Sequence, residues 1–274
     1  MESEAMAIDP DIVAFYEEGR ERDRLTAGPS LELLRTQVLL KRYLPAPPAR
    51  ALDVGGAAGV YSSWLAGLGY AVHLVDPVPL HVEQARALAA DGPAFTAALG
   101  DARDLAEPDA SRDAVLLFGP LYHLVERADR VRALAEARRV ARPGGVVVAA
   151  VISRYASTMD GFFRGFLDRP GFAARALDAL RRGWHRNPQR DVDLFTTSYF
   201  HTRDELAAEI ADSGLRLTAI LPVQGPLHWA PGIKDRLADP GQRQLILDML
   251  AEMERDPAII GLSAHLLAVT RREP

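Results

Sequence analysis

Cysteine is absent from the 274-residue chain, which removes disulfides and any thiolate chemistry of the protein's own and leaves His, Asp and Glu as candidate metal ligands. The seven histidines are dispersed, and none shows the HExxH spacing that presents two imidazoles on one helical face; no metal is expected. Also missing is an apolar run near the roughly 20 residues that span a bilayer. The opening MESEAMAIDPD is acidic and lacks the apolar centre of a secretion signal. Positive charge is not in excess either: a net charge of -5 argues against a surface built to hold nucleic-acid backbones. The expectation is a soluble, cytoplasmic protein with a small-molecule substrate, no nucleic-acid or membrane partner, and room for homo-oligomerisation.

What is present is material for a large core, with 48% hydrophobic and 25% charged residues. Residues 8–44 read as one or two helices, with Leu31, Leu34, Val38 and Leu39 on one face and Pro45, Pro47 and Pro48 ending the run. The segment 1–49 is expected to cover one side of the core. Its Glu17, Arg20, Arg24 and Arg35 are read mainly as solvated or salt-bridged side chains.

From residue 50 short apolar strands alternate with amphipathic helices. Strands are expected at Ala51–Val54, Ala71–Val75, Phe95–Leu99, Asp113–Phe118 and Val146–Ile152, and helices at Val60–Leu68, Val82–Ala90 and Arg127–Ala141, the last ended by Arg142, Pro143, Gly144 and Gly145. This order asks for an α/β fold, a Rossmann-like doubly wound and mainly parallel sheet with helices on both faces. Residues 153–198 interrupt it with Phe162, Phe163, Phe166, Phe172, Trp184, His185 and Phe195 among several arginines. The stretch reads as a helical insertion without a strand between its ends, placed to close a substrate chamber. The pattern resumes over 199–274: Thr202 and Glu205 form a capping box, Gly214 ends that helix, Leu215–Leu221 and His265–Thr270 read as late strands that pair at a sheet edge, and 242–255 as the helix between them.

The loops after the first strands carry the chemistry. Asp53 precedes the small-residue turn Gly55-Gly56-Ala57-Ala58-Gly59, where the backbone can approach a ligand and the next helix offers free amides. Asp76 ends the second strand, where a carboxylate can accept from a ribose diol. Asp101 follows the third. Three acidic residues on successive loops of one sheet edge carry more weight together than any one alone.

The chain resembles the class I S-adenosylmethionine-dependent methyltransferase superfamily through LDVGGAAG at 52–59, HLVDPVP at 73–79, GDARDL at 100–105, LLFGPLYHL at 116–124 and ARRVARPGG at 137–145. Ala57 stands where the family's middle glycine is usual, and Gly56 is additional. The resemblance implies a seven-stranded sheet with an antiparallel edge, a core at 50–152 completed by 199–274, and S-adenosyl-L-methionine as cofactor. It implies that Gly55, Gly56 and Gly59 allow close approach, that Asp53 lies nearby and acts through the amino group or bound water, and that Asp76 holds the ribose. Asp101 and Ala102 would meet adenine, Pro77 pack on it, and Phe118 and Gly119 meet the methionine portion, over which Tyr16, Arg20 or Arg35 could close; Tyr61 is a further candidate for the pocket wall.

The activity implied is methyl transfer to a small organic acceptor, because a sulfonium methyl needs alignment and water exclusion more than a protein nucleophile. His123 is the first candidate base, with Tyr122 positioning the acceptor and His201 and His228 as alternatives. Arg154, Arg164, Arg169 and Arg175 are candidates for an acidic group on the acceptor. A noncatalytic cofactor-binding scaffold and a nicotinamide-dependent oxidoreductase are the competing readings. Asp53 before the turn argues against the latter, whose pyrophosphate would meet a carboxylate there.

Overall fold

The computed structural model describes residues 9–19, 21–187 and 194–274. Arg20 and the first residues of the acidic N-terminus lie outside the described residues. Two helices come first, α1 (Pro10–Glu17) and α2 (Leu31–Tyr43). Both begin on side-chain caps, Asp9 accepting from the Asp11 amide at 2.9 Å and Ser30 from the Leu33 amide at 3.2 Å, which satisfies donors that a first turn leaves free.

The alternation runs β1 (Arg50–Val54), α3 (Val60–Gly67), β2 (Ala71–Asp76), α4 (Pro79–Asp91), β3 (Thr96–Leu99), β4 (Arg112–Leu117), α5 (Pro120–His123), α6 (Arg127–Val140) and β5 (Ala141–Ser153). The insertion contributes α7 (Ala156–Phe163), α8 (Phe172–Arg182) and the short strands β6 (Trp184–His185) and β7 (Ser198–His201). The chain closes with α9 (Arg203–Asp212), β8 (Arg216–Pro222), α10 (Ile233–Ala238), α11 (Pro240–Met253), α12 (Pro257–Ile260) and β9 (His265–Arg271).

Strands follow the order β3-β2-β1-β4-β5-β9-β8, parallel from β3 through β5, with β9 antiparallel to both neighbours. The doubly wound sheet with an antiparallel edge pair is thus as expected. Two details differ. The insertion does hold a strand, because Trp184 and His185 pair antiparallel with Tyr199 and Ser198, and β7 in turn pairs with Ile152 and Ser153 of β5 beyond the end of β4. The Arg142–Gly145 stretch is not a free turn: Ala141 already pairs with Arg112, and the register shifts before Val146 meets Ala114, so the predicted helix exit is an irregular start to β5.

Strand alternation builds two cores. Leu52, Val54, Val115, Leu117, Val147, Ala149 and Val151 face α6 and α9 through Ala133, Leu134, Leu206 and Ile210. Ala51, Ala114, Leu116, Val146 and Val148 face α2, α3 and α4 through Leu39, Leu40, Leu65 and Ala85. α2 is also tied down by the buried Arg35, which with Arg42 is ion-paired to Glu254 at the end of α11. The expected capping box is present, Thr202 Oγ1 accepting from the Glu205 amide and Glu205 from the Thr202 amide. Among the described residues no helix is long and apolar enough to cross a membrane.

Candidate functional site

A cavity of about 420 Å³ opens at the carboxyl ends of the parallel strands, where β1 lies between β2 and β4 and the strand order reverses direction. Ligands of doubly wound sheets bind at such a switch point, and the volume falls in the range of small-molecule sites. Its wall contains Gly55, Gly56, Asp76, Pro77, Asp101, Ala102, Phe118, Gly119, Tyr122 and His123. Gly55 and Gly119 face each other across the turn with φ of 75° and 148°. A Cβ on Gly55 would stand 2.7 Å from Pro120 Cδ, and one on Gly119 3.3 Å from the Gly55 carbonyl oxygen, so both loops approach closely only because neither carries a side chain.

The carboxylates are partly committed within the protein. Asp76 accepts from the amides of Ala57 (3.0 Å) and Val78 (2.9 Å) and from His81 Nδ1 (3.0 Å). A carboxylate has about four acceptor positions, so one remains on Oδ2, where a ribose diol would use two. Asp101 is gripped by Arg103 through its amide, Nε and a terminal nitrogen at 2.6–3.0 Å, again leaving one position, which suits a single amine hydrogen. Asp53 differs. Its neighbours Leu52 and Val54 take one core face, so its side chain points to the other, under α3, where it accepts from Ser62 Oγ at 2.7 Å and is fully buried. Burial raises its pKa to about 6.

A second cavity of about 200 Å³ adjoins the first and shares Tyr16, Glu21, Arg24, Tyr122 and His265 with it. Its remaining wall comes largely from the insertion and includes Ser157, Asp160, Phe166, Phe172 and His185. α1 reaches the junction because Ile12 and Tyr16, one turn apart, pack on Val78 after β2. Arg24 bridges Glu21 and Glu32 through Nε at 2.8 Å and both terminal nitrogens at 2.9 and 3.1 Å, which leaves one N–H on each terminal nitrogen. Burial opposes ionisation of Glu32, yet Arg24 and His265 hold its carboxyl down at about 2.

The junction imidazole has a defined tautomer. Gln224 Oε1 accepts from the His265 amide at 3.2 Å, so its Nε2, 2.9 Å away, donates to His265 Nδ1; burial lowers the His265 pKa and the neutral ring carries its proton on Nε2.

The known proteins that this chain resembles agree with that geometry. Residues 51–145 match the methyltransferase domain family. An uncharacterized methyltransferase of Mycobacterium bovis is 40% identical over 102 residues, 37% of this chain and 39% of that protein. A ubiquinone biosynthesis O-methyltransferase of Methylocella silvestris is 35% identical over 116 residues, 41% of this chain and 44% of that protein. The matched regions therefore span about two fifths of these relatives. In three dimensions, a SAM-dependent methyltransferase of Methanosarcina mazei superposes with a TM-score of 0.59 at 16% identity, covering 86% of this chain and 97% of that one. Over residues 51–145 the chain matches the methyltransferase domain family, and its fold is that of the solved SAM-dependent methyltransferase it superposes on.

Three of the residues read from the sequence as cofactor and catalytic candidates lie outside both cavities. Asp53 lines neither cavity, for the strand-parity reason above. Gly59 is the left-handed start of α3, set against Phe95. His201 lies outside both cavities, because β7 buries it beside Glu209 (3.1 Å), which Arg130 also holds at 2.6 Å. His228 faces the second cavity. His123 faces the first with Nε2 2.7 Å from the Tyr16 hydroxyl, and burial lowers its pKa to about 4 against the opposing Thr197 backbone. It is a neutral imidazole and a weak base with Nε2 engaged, better suited to holding Tyr16 than to taking an acceptor's proton.

The insertion arginines line neither cavity. Arg154 is buried against Glu205 and the Phe200 carbonyl, and Arg164 and Arg169 stack on Phe166. Tyr61, also a candidate, lines the first cavity and meets Phe118 edge-on, whereas Arg35 is consumed by Glu254. The sequence reading missed Glu21, Glu32 and His265. For His265 a signal existed: the first residue of an antiparallel last strand falls at the carboxyl edge of its parallel neighbours.

Proposed function

We propose that the protein transfers the methyl group of S-adenosyl-L-methionine to a small organic acceptor held in the second cavity. The observation that carries this reading is the wall common to both cavities, formed by Tyr16, Glu21, Arg24, Tyr122 and His265. A cofactor in the larger space and an acceptor in the smaller one meet there.

The residues present fit the cofactor. Asp76 offers its remaining acceptor position to a ribose hydroxyl, Asp101 and Ala102 serve adenine with Pro77 packed beside it, and the Gly55–Gly56 and Phe118–Gly119 backbones serve the methionine end. The two unused N–H groups of Arg24 suit its carboxylate. When bound, the sulfonium supplies an already activated methyl group. The protein's part is to orient and to exclude water. Burial pushes the pKa of Tyr16 and Tyr122 up, so both act as neutral hydroxyls. The Tyr16 hydroxyl, held 2.7 Å from His123 Nε2, stands at the junction, where its oxygen can accept from an acceptor's N–H or O–H. The acidic net charge and lack of cysteine support a cytoplasmic setting.

The test is acceptor-dependent formation of S-adenosylhomocysteine by the full chain across a panel of small amines, phenols and carbon acids, read by mass spectrometry. One or more acceptors should gain a methyl group in step with it. Tight cofactor binding with no turnover on any acceptor class would favour the scaffold reading instead.

A further inference from the structure

The second cavity has a composition that selects among acceptors. Aromatic rings dominate it: Phe166, Phe172, Phe195 and Phe200 line it together with Tyr16 and Tyr122. About 200 Å³ is slightly more than the roughly 150 Å³ cavity that accommodates benzene, which sets the scale at one ring with a short substituent.

Its charge is unbalanced. Among the described residues the cavity wall contains two carboxylates, Glu21 and Asp160, and one guanidinium, Arg24. Arg24 is already bound to Glu21 and Glu32. Asp160, on α7, accepts at 3.0 Å from the Trp229 indole, a neutral donor, and its other oxygen stands 3.8 Å from the half-exposed Arg164. Its field reaches His185, His228 and His265, and burial lowers the pKa of all three rings, so at neutral pH none supplies a positive charge. Arg24 is already engaged and the contact to Arg164 is long, so a carboxylate among aromatic faces attracts a further cation, through ion pairing and the ring quadrupoles together. The same field repels carboxylate and phosphate acceptors.

Resting on the methyltransferase reading, we propose that the acceptor is a monocyclic arylalkylamine, its ring held among Phe166, Phe172, Phe195 and Phe200 and its ammonium anchored by Asp160; an ammonium has no lone pair to take a methyl, so it anchors the molecule while another nucleophilic atom faces the junction.

The test uses the full chain saturated with S-adenosylhomocysteine and titrated calorimetrically at pH 7.5 with three probes of one shape: phenethylamine, 2-phenylethanol and phenylacetate. Phenethylamine should bind at least about tenfold more tightly than the alcohol, with the acid weakest, which is the discrimination expected of a charge-assisted contact in a partly dry site. Asp160→Asn should bring amine and alcohol within about threefold. Trp229→Phe, which keeps the carboxylate and removes only its indole donor, should preserve the preference, and this separates loss of charge from damage to the lid. Equal or tighter binding of the alcohol or the acid, or an amine preference that survives Asp160→Asn, would overturn the proposal. S-adenosylhomocysteine binding is measured first: its presence with no amine preference defeats only this proposal, whereas its absence defeats the methyltransferase reading as well.

Discussion

The hydroxyl of Tyr16 lies 2.7 Å from Nε2 of His123, and the two rings meet edge to face with centroids 5.3 Å apart. This contact joins α1 to the loop after β4, so the N-terminal helix is part of the wall between the two cavities and more than a cover for the core. Removing the hydroxyl in Tyr16→Phe leaves a buried imidazole nitrogen without its partner. The expected cost is about 1–2 kcal/mol in urea unfolding, with kcat/KM down at least about tenfold and cofactor affinity within about threefold. An unchanged kcat/KM would remove Tyr16 from the junction's chemistry.

Asp53 makes the unliganded fold sensitive to pH. Its pKa rises from 3.8 to about 6 on burial, so its contribution to stability is fully present below the unfolded value and is lost as pH climbs through 6. Asp53→Asn should therefore gain stability relative to the native chain at pH 8, by up to about 3 kcal/mol, and gain none at pH 4. Thermal unfolding at the two pH values checks this; an equal shift at both would assign the effect to something other than ionisation.

Ala57 occupies the left-handed region with φ of 49°, where a side chain costs about 1–2 kcal/mol. Ala57→Gly relieves that strain but loosens the unfolded chain by about 0.4–1 kcal/mol. The net expectation is a Tm unchanged or raised by a few degrees. The amide that donates to Asp76 is retained, so cofactor affinity should hold. A fall in Tm beyond about 3 °C would show that the alanine methyl packs favourably.

His201 is expected to matter for folding and not for turnover. It shares Glu209 with Arg130, and all three are buried. Replacing it with Ala leaves carboxylate Oε2 short of a partner, at a cost of about 1–3 kcal/mol. Activity per folded molecule, measured below the melting transition, should match the native chain. A loss of kcat with normal stability would return His201 to the site.

Much of the cofactor edge was legible because strand period and loop chemistry are local. Asp76, Asp101, Gly55 and Gly119 stand where apolar strands end, and the strand order carries them to one edge. Asp53 does not line the cavity, and its parity was readable, since apolar Leu52 and Val54 on either side turn it to the opposite face. His201 lies outside both cavities for a different reason. Its burial depends on β7 pairing beyond the end of β4, a contact between distant segments with no local signature. The same holds for Glu21, Arg24 and Glu32, whose charges look like those of any solvated helix until α1 and α2 fold across the sheet edge.

The measurement that bears most directly on the central claim is calorimetric titration of S-adenosylhomocysteine into the native chain and into Asp76→Ala, with circular dichroism to confirm that both are folded. Asp76 meets the Ala57 and Val78 amides and His81 with one acceptor position to spare, and losing a charged acceptor costs about 1.5–3 kcal/mol. The account predicts one site per native chain and binding at least about tenfold weaker in the variant. No binding to the native chain, or the same dissociation constant in both, would contradict it.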